Sequence, residues 1–216
     1  MIRPPALVAA LGLALAGTVA APALSPAPAA AQSAHDTQAE GFVQTEGQRA
    51  LSILADQSRS NADKIRAFRG FVDQVADVPR ITNFVLGKYA RTISPAQKQQ
   101  FAVVFREYAQ NVYESRLGDY HGETLRVTGS IVRKPGDVIV NSEVTGGARK
   151  EPVQAYWRVI QGPNGWRIVD VQVQGVWLAI TQQQDFVSTI DNAGGNVQVL
   201  IDQLRSQLAQ GRERGR

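Results

Sequence analysis

Between Val153 and Leu178 the chain reads VQAYWRVIQGPNGWRIVDVQVQGVWL, two alternating apolar runs split by Gly162-Pro163-Asn164-Gly165. Glycine supplies positive φ, proline fixes φ near −65°, and asparagine tolerates both, so the four residues form a turn and the two runs form a hairpin. In the second run Val169, Val171 and Val173 recur at period two, with Arg167, Asp170, Gln172 and Gln174 between them. One face of a sheet is therefore apolar and the other wet. An apolar sheet face must be covered, so the segments on both sides of the hairpin decide the fold.

Upstream, the period is also two. Leu125, Val127 and Ile131 mark one strand and Val138, Val140 and Val144 another, with Lys134-Pro135-Gly136-Asp137 as their turn. Four strands joined by short connections predict an antiparallel meander.

The flanks carry helical periodicity. A short helix is expected over Glu46–Gln57. Ser60 with Asp63 opens a second, bearing Ile65, Phe68, Val72 and Val75. Asp77 caps a third with Pro79 in its first turn, along which Ile81, Phe84 and Val85 share a face. Ser94-Pro95-Ala96-Gln97 combines an N-cap serine, a proline at the first helical position and a Gln that bonds back to the cap. The helix it opens carries Phe101, Val104, Phe105, Tyr108 and Val112 at helical spacing. After the sheet, Thr181 with Gln184 repeats the capping pattern before Phe186 and Ile190. Asn196 caps a last helix with Val197, Leu200, Ile201, Leu204 and Leu208. The fold class is α+β, an antiparallel four-stranded meander with N- and C-terminal helices packed on one face.

The ends of the chain read differently. Residues 1–31 have the form of a secretory signal peptide: Arg3, an apolar run from Leu7 to Ala21, and Ala29-Ala30-Ala31 as a cleavage site. Residues 32–45 are polar and aperiodic, a flexible leader that includes His35; 46–210 form the domain, and 211–216 a charged tail. The net charge is +4 for the full chain and one less without Arg3, too small to specify an anionic partner. With no cysteine, disulfides, thiol chemistry and a lipidated N-terminal Cys are excluded.

No catalytic constellation is visible. Of the two histidines, His121 sits in Tyr120-His121-Gly122, where helix gives way to sheet, and reads as a junction residue. Asp170 is the one acid in an apolar strand, and by parity it faces away from Val169 and Val171. An exported hydrolase or isomerase on a cone-shaped α+β fold, with His121 and Asp170 as acid and base, is the alternative reading. No His, Asp or Glu pair has metal-ligand spacing beside another, and Gly146-Gly147 and Gly194-Gly195 lack a phosphate-loop pattern. The cations are dispersed among acids, unlike a nucleic-acid face. Binding is favoured over catalysis, with no metal and no cofactor.

Phe84-Val85-Leu86-Gly87-Lys88-Tyr89, Ser94-Pro95-Ala96-Gln97, Phe105-Arg106-Glu107-Tyr108 and Tyr120-His121-Gly122 follow one another as in the MlaC family. Tyr156-Trp157-Arg158, Asn164-Gly165-Trp166, Asp170 and Gly175-Val176 agree as well, so the chain resembles that family from about Ala50 to Leu208. The resemblance implies a periplasmic phospholipid carrier holding acyl chains in a cavity between sheet and helices. Its partners would be phospholipid, an outer-membrane MlaA-type lipoprotein with a porin, and an inner-membrane MlaD-type ring of an ABC transporter. One departure is Trp177, where family members commonly have Ser.

Two acyl chains of about thirty methylenes represent on the order of 20 kcal/mol of apolar transfer, so a carrier needs an extended apolar wall. The expected lining is Phe84, Val85, Tyr89, Phe101, Val104, Phe105, Tyr108 and Val112 from the helices, facing Val127, Val138, Val140, Val169, Val171 and Val173 from the sheet. Headgroups stay at the rim, with Lys88, Arg91 and Arg158 as candidate phosphate partners.

Overall fold

A computed structural model describes residues 35–117, 122–147 and 151–214, all within one compact unit, Ser33–Arg216. The expected signal peptide and His121 lie outside the described residues. Strands β1 (Thr124–Lys134), β2 (Asp137–Thr145), β3 (Val153–Gly162), β4 (Gly165–Val173) and β5 (Val176–Trp177) pair antiparallel in chain order. The hairpin forms where its turn residues require it: Gly162 pairs with Gly165, which takes φ 86°. The expected four-stranded meander gains a fifth, two-residue strand. Gln174 and Gly175 both adopt positive φ, 52° and 82°, which is what a two-residue hairpin loop demands, and this sends the chain back along β4 for one short pairing.

The helices are α1 (Thr37–Ala55), α2 (Asn61–Val75), α3 (Val78–Val85), α4 (Pro95–Leu117), α5 (Leu178–Asn192) and α6 (Val197–Arg214), with a 3-10 turn at Gly87–Arg91 after α3. Several caps are those read from sequence. Ser60 accepts from the Asp63 N–H, and Asp77 from the Arg80 N–H. Ser94 and Gln97 bond reciprocally, each side chain to the other's backbone N–H at 3.2 Å.

Three helical expectations are corrected. Residues 37–45 are not a flexible leader but the first half of α1, capped by Asp36 and burying Ala39 and Val43. Polar composition concealed it because much of its attachment to the sheet is polar. α5 begins at Leu178, before the Thr181 pattern, because its cap comes from Asp170 on β4 rather than from a neighbouring residue. α6 continues through part of the expected charged tail, to Arg214.

Buried apolar side chains fall into two clusters. The first is helical: Val85, Leu86, Phe101, Val104, Phe105, Phe186, Ile190, Leu200, Ile201 and Leu204 among others, drawn from α3 to α6. The Phe101 and Phe105 rings stack at 5.5 Å, and Phe186 meets both edge-on at 5.7 and 5.8 Å, within the favourable range for aromatic pairs. The second lies between α1 and the sheet, where Ala39 and Val43 cover Val138, Val140, Val159 and Trp166.

Register decides which strand residues share that covered face. Val140 pairs with Trp157, Trp157 with Val171, and Ala155 with Val173, so Val171 and Val173 belong to the α1 side. Arg158 pairs with Asp170 but Val159 with Ile168, so Val169 is the extra residue of a β-bulge. The alternation changes phase there. Ile168 and Trp166 point with Val171, and Val169 does not. A second shift between Val127 and Gly129 leaves Ile131 opposite Ile139 on the outer face, 45% exposed.

Candidate functional site

The predicted lining residues do not form two facing walls. Val85, Phe101, Val104 and Phe105 are buried against side chains of α5 and α6, with Tyr89 and Tyr108 at the edge of the same cluster. This is filled core. Phe84 and Val112 are exposed at 36% and 40%. Val138 and Val140 are fully buried, and Val127 partly, but under α1 and not opposite α4. The physical reason is the α4–α6 pairing: the aromatic stripe of α4 meets the Leu200, Ile201 and Leu204 stripe of α6, and two complementary helical faces satisfy each other before either reaches the sheet.

Val171 and Val173 are a different case. Both are half-buried, lie on the α1 side of the sheet and join neither cluster. Beside them across the pairing stand Trp157, half-buried, and Ala155, 3% exposed. Trp157 is fixed by an N–H bond to Ser142 Oγ at 2.8 Å, and that hydroxyl donates to the Ala155 carbonyl at 3.1 Å. Buried polar atoms are thereby paired, which leaves the Trp157 ring body as apolar surface.

Further apolar side chains that join neither cluster stand on α1 and α2. Leu51, Ile53 and Leu54 in the last turns of α1 are half-buried, as are Phe68 and Val72 of α2, which buries Phe71 and Val75. α2 is tied to β4 at its end, where the Asp77 N–H donates to the Ile168 carbonyl at 2.9 Å. Trp157, Leu51, Ile53, Leu54, Phe68 and Val72 were absent from the sequence-based lining. Their signal was present as aromatic and aliphatic residues on amphipathic stretches, but only burial separates a residue that is filled in from one left half-open.

The candidate headgroup cations are largely engaged. Arg158 donates Nε and Nη2 to the two Asp137 carboxylate oxygens at 3.0 and 2.9 Å, on the sheet face away from α1. That hydrogen bonding, with its charge, holds the 3%-exposed Asp137 carboxyl below the usual carboxylate range against the opposing effect of burial. Arg158 is thus a structural partner and not a rim cation. Lys88 pairs with Asp191 at 2.7 Å, alongside a Tyr89 hydroxyl bond to the same carboxylate. Arg91 is exposed on the 3-10 turn.

Asp170 is likewise committed. Its Oδ1 accepts the Val171 and Ala179 N–H groups, both at 2.8 Å, so it caps α5 from the neighbouring strand. Desolvation raises its pKa, opposed by those backbone bonds and by Arg158. The two backbone donors on Oδ1 give Asp170 a structural role, joining β4 to the start of α5. Among the described residues no cluster of His, Asp and Glu can hold a metal ion, and no helix is long and apolar enough to cross a membrane.

The family model described as MlaC protein matches residues 44–206. The chain belongs to the MlaC family. The chain is similar to the solved phospholipid-binding protein from Ralstonia solanacearum, determined in complex with a phospholipid. It is 27% identical, with a TM-score of 0.71, and the match covers 81% of this chain and 98% of that one. MlaC membership accords with the α+β order of helices, meander and helices, and with a single unit holding all the described elements.

Proposed function

We propose that this chain is a non-enzymatic periplasmic phospholipid carrier. It shuttles phospholipid between an outer-membrane MlaA-type lipoprotein with its porin and an inner-membrane MlaD-type ring of an ABC transporter, and so maintains outer-membrane lipid asymmetry. Phospholipid is its cargo and it uses no cofactor. Supporting the reading are MlaC membership and the likeness to a protein solved with a phospholipid.

The observation that carries it in this chain is the division of the interior into two apolar clusters, with Val171, Val173, Leu51, Ile53 and Leu54 left half-buried and outside both. A domain of this size ordinarily closes such residues into one core. Each large apolar side chain left half-open forgoes part of the roughly 1.5–3 kcal/mol its burial is worth, and an acyl chain laid against it restores that contact. Transfer is then a matter of exchanging one apolar surround for another.

Native mass spectrometry of the purified mature protein tests the proposal. Phospholipid co-purifies with it or loads from vesicles; a protein that neither retains nor takes up phospholipid overturns the carrier reading.

A further inference from the structure

α1 is attached to the sheet in an unusual way for a core helix. Its fully buried side chains are two small ones, Ala39 and Val43. Phe42 packs beside them, partly buried, and Arg49 reaches α2 through Gln74 and the Phe71 ring. Much of the remaining hold is polar and falls on the backbone and side chains of the edge strand β1. Gln44 donates to the Leu125 carbonyl at 3.2 Å and accepts from the Val127 N–H at 2.9 Å, acting as a short substitute for a neighbouring strand. Gln48 donates to the same carbonyl at 3.0 Å. At the other end, the Ser130 hydroxyl accepts from the Asp36 N–H at 2.9 Å and donates to Glu40 at 2.6 Å.

The helix is also weak in itself. Gly41 and Gly47 stand in its interior, where glycine is disfavoured, and a Cβ at Gly41 meets nothing within 4 Å, so packing does not call for that glycine. By contrast α3 to α6 are joined through Phe101, Phe105, Phe186 and a row of leucines, and α2 is bound by Phe71, Val75 and the Asp77–Ile168 bond. α1 has smaller fully buried side chains, Ala39 and Val43, than α2, with Phe42 only partly buried beside them. It also carries the half-buried Leu51, Ile53 and Leu54.

We propose that α1 is a strap over the apolar face of the sheet, clamped to β1 by Gln44, Gln48 and Ser130, and that its release is the step that admits and discharges lipid. The proposal rests on the carrier reading. Lifting α1 exchanges a few edge-strand hydrogen bonds for bonds to water and uncovers Val138, Val140 and Val159, which an acyl chain can cover in its place.

The cysteine-free chain allows a direct test. A Cβ at Gly47 lies 3.6 Å from Leu125 Cγ, the position a cysteine sulfur takes, so the pair Gly47→Cys and Leu125→Cys is bridged by oxidation or by a short bis-methanethiosulfonate reagent. The protein is loaded with a fluorescent phospholipid, and release to phosphatidylethanolamine–phosphatidylglycerol vesicles is followed. The bridged form releases lipid about tenfold more slowly, and dithiothreitol restores the rate. Gln44→Ala, which removes two clamps without a bridge, releases lipid faster than wild type. Equal release in bridged and reduced protein, or an unchanged rate in Gln44→Ala, overturns the strap while leaving the carrier intact. Wild-type protein that never holds the lipid overturns the carrier reading, and the strap with it.

Discussion

Asp170 on β4 accepts the Ala179 backbone N–H at 2.8 Å and thereby caps α5 across a sequence distance that includes the whole of β5. The carboxylate replaces the local cap that Trp177 does not provide. Removing the acceptor strands buried donors, so Asp170→Ala costs about 1–3 kcal/mol. Asp170→Asn keeps an oxygen for those donors and sheds the desolvated charge. Because the folded-state pKa of Asp170 is raised, the folded protein binds this proton more readily than the unfolded chain. The group's favourable contribution is therefore complete below the unfolded value and is lost as pH rises through the folded one. Urea unfolding at several pH values shows Asp170→Asn gaining on wild type as pH increases across that window; a constant difference refutes the assignment.

Arg158 tests the opposite sign. Its partner Asp137 has a lowered folded pKa, so the stabilisation is present above the unfolded carboxylate value and disappears as pH falls through the folded one. Arg158→Met leaves a buried carboxylate with only the longer Arg133 contact at 3.4 Å. With Arg158 itself 30% exposed, the expected loss is about 2 kcal/mol, below that of a fully buried pair. Phospholipid loading, read by native mass spectrometry, is unchanged in the folded variant. Loss of lipid with stability intact would return Arg158 to the headgroup rim.

Val171 and Val140 lie on the same sheet face with different surroundings. Val140 is 0% exposed under α1, whereas Val171 is half-buried and in neither cluster. Val140→Glu places a charge in filled core and unfolds the domain. Val171→Glu leaves the circular dichroism spectrum and the cooperative melt in place but abolishes lipid loading. Retained loading in that variant shows that acyl chains do not pass over Val171.

Phe105 separates core from cavity wall. Its ring is 6% exposed, stacked on Phe101 and met by Phe186. Phe105→Ala therefore costs about 3–5 kcal/mol of folding stability, the range for deleting a buried aromatic side chain. Denaturant unfolding gives the value. A loss under about 1 kcal/mol would mean that the ring faces space and not neighbours.

Local chemistry carried much of the fold into the sequence. The Gly162–Gly165 turn, the Ser60 and Asp77 caps and the reciprocal Ser94–Gln97 pair each involve residues within a few positions of one another, so their types and spacing suffice to place them. α1 was half missed for the complementary reason. Its apolar stripe there is short, Ala39, Phe42 and Val43, and the rest of its signal is Gln44, Gln48 and Glu40, whose partners on β1 lie some eighty to ninety positions away.

Sequence by itself determined the order of helices and strands, the meander and the presence of an apolar sheet face, because period and turn chemistry act over short distances. Only the tertiary structure decided which apolar stripe meets which. The aromatic face of α4 is spent on α6, the bulge at Val169 puts that valine out of phase, and α1 closes over Val138 and Val140. Apolar surfaces attract without direction, so a stripe specifies that it will be buried but not against what. That choice left Val171 and Val173 as the half-open part of the face on which the proposed function depends.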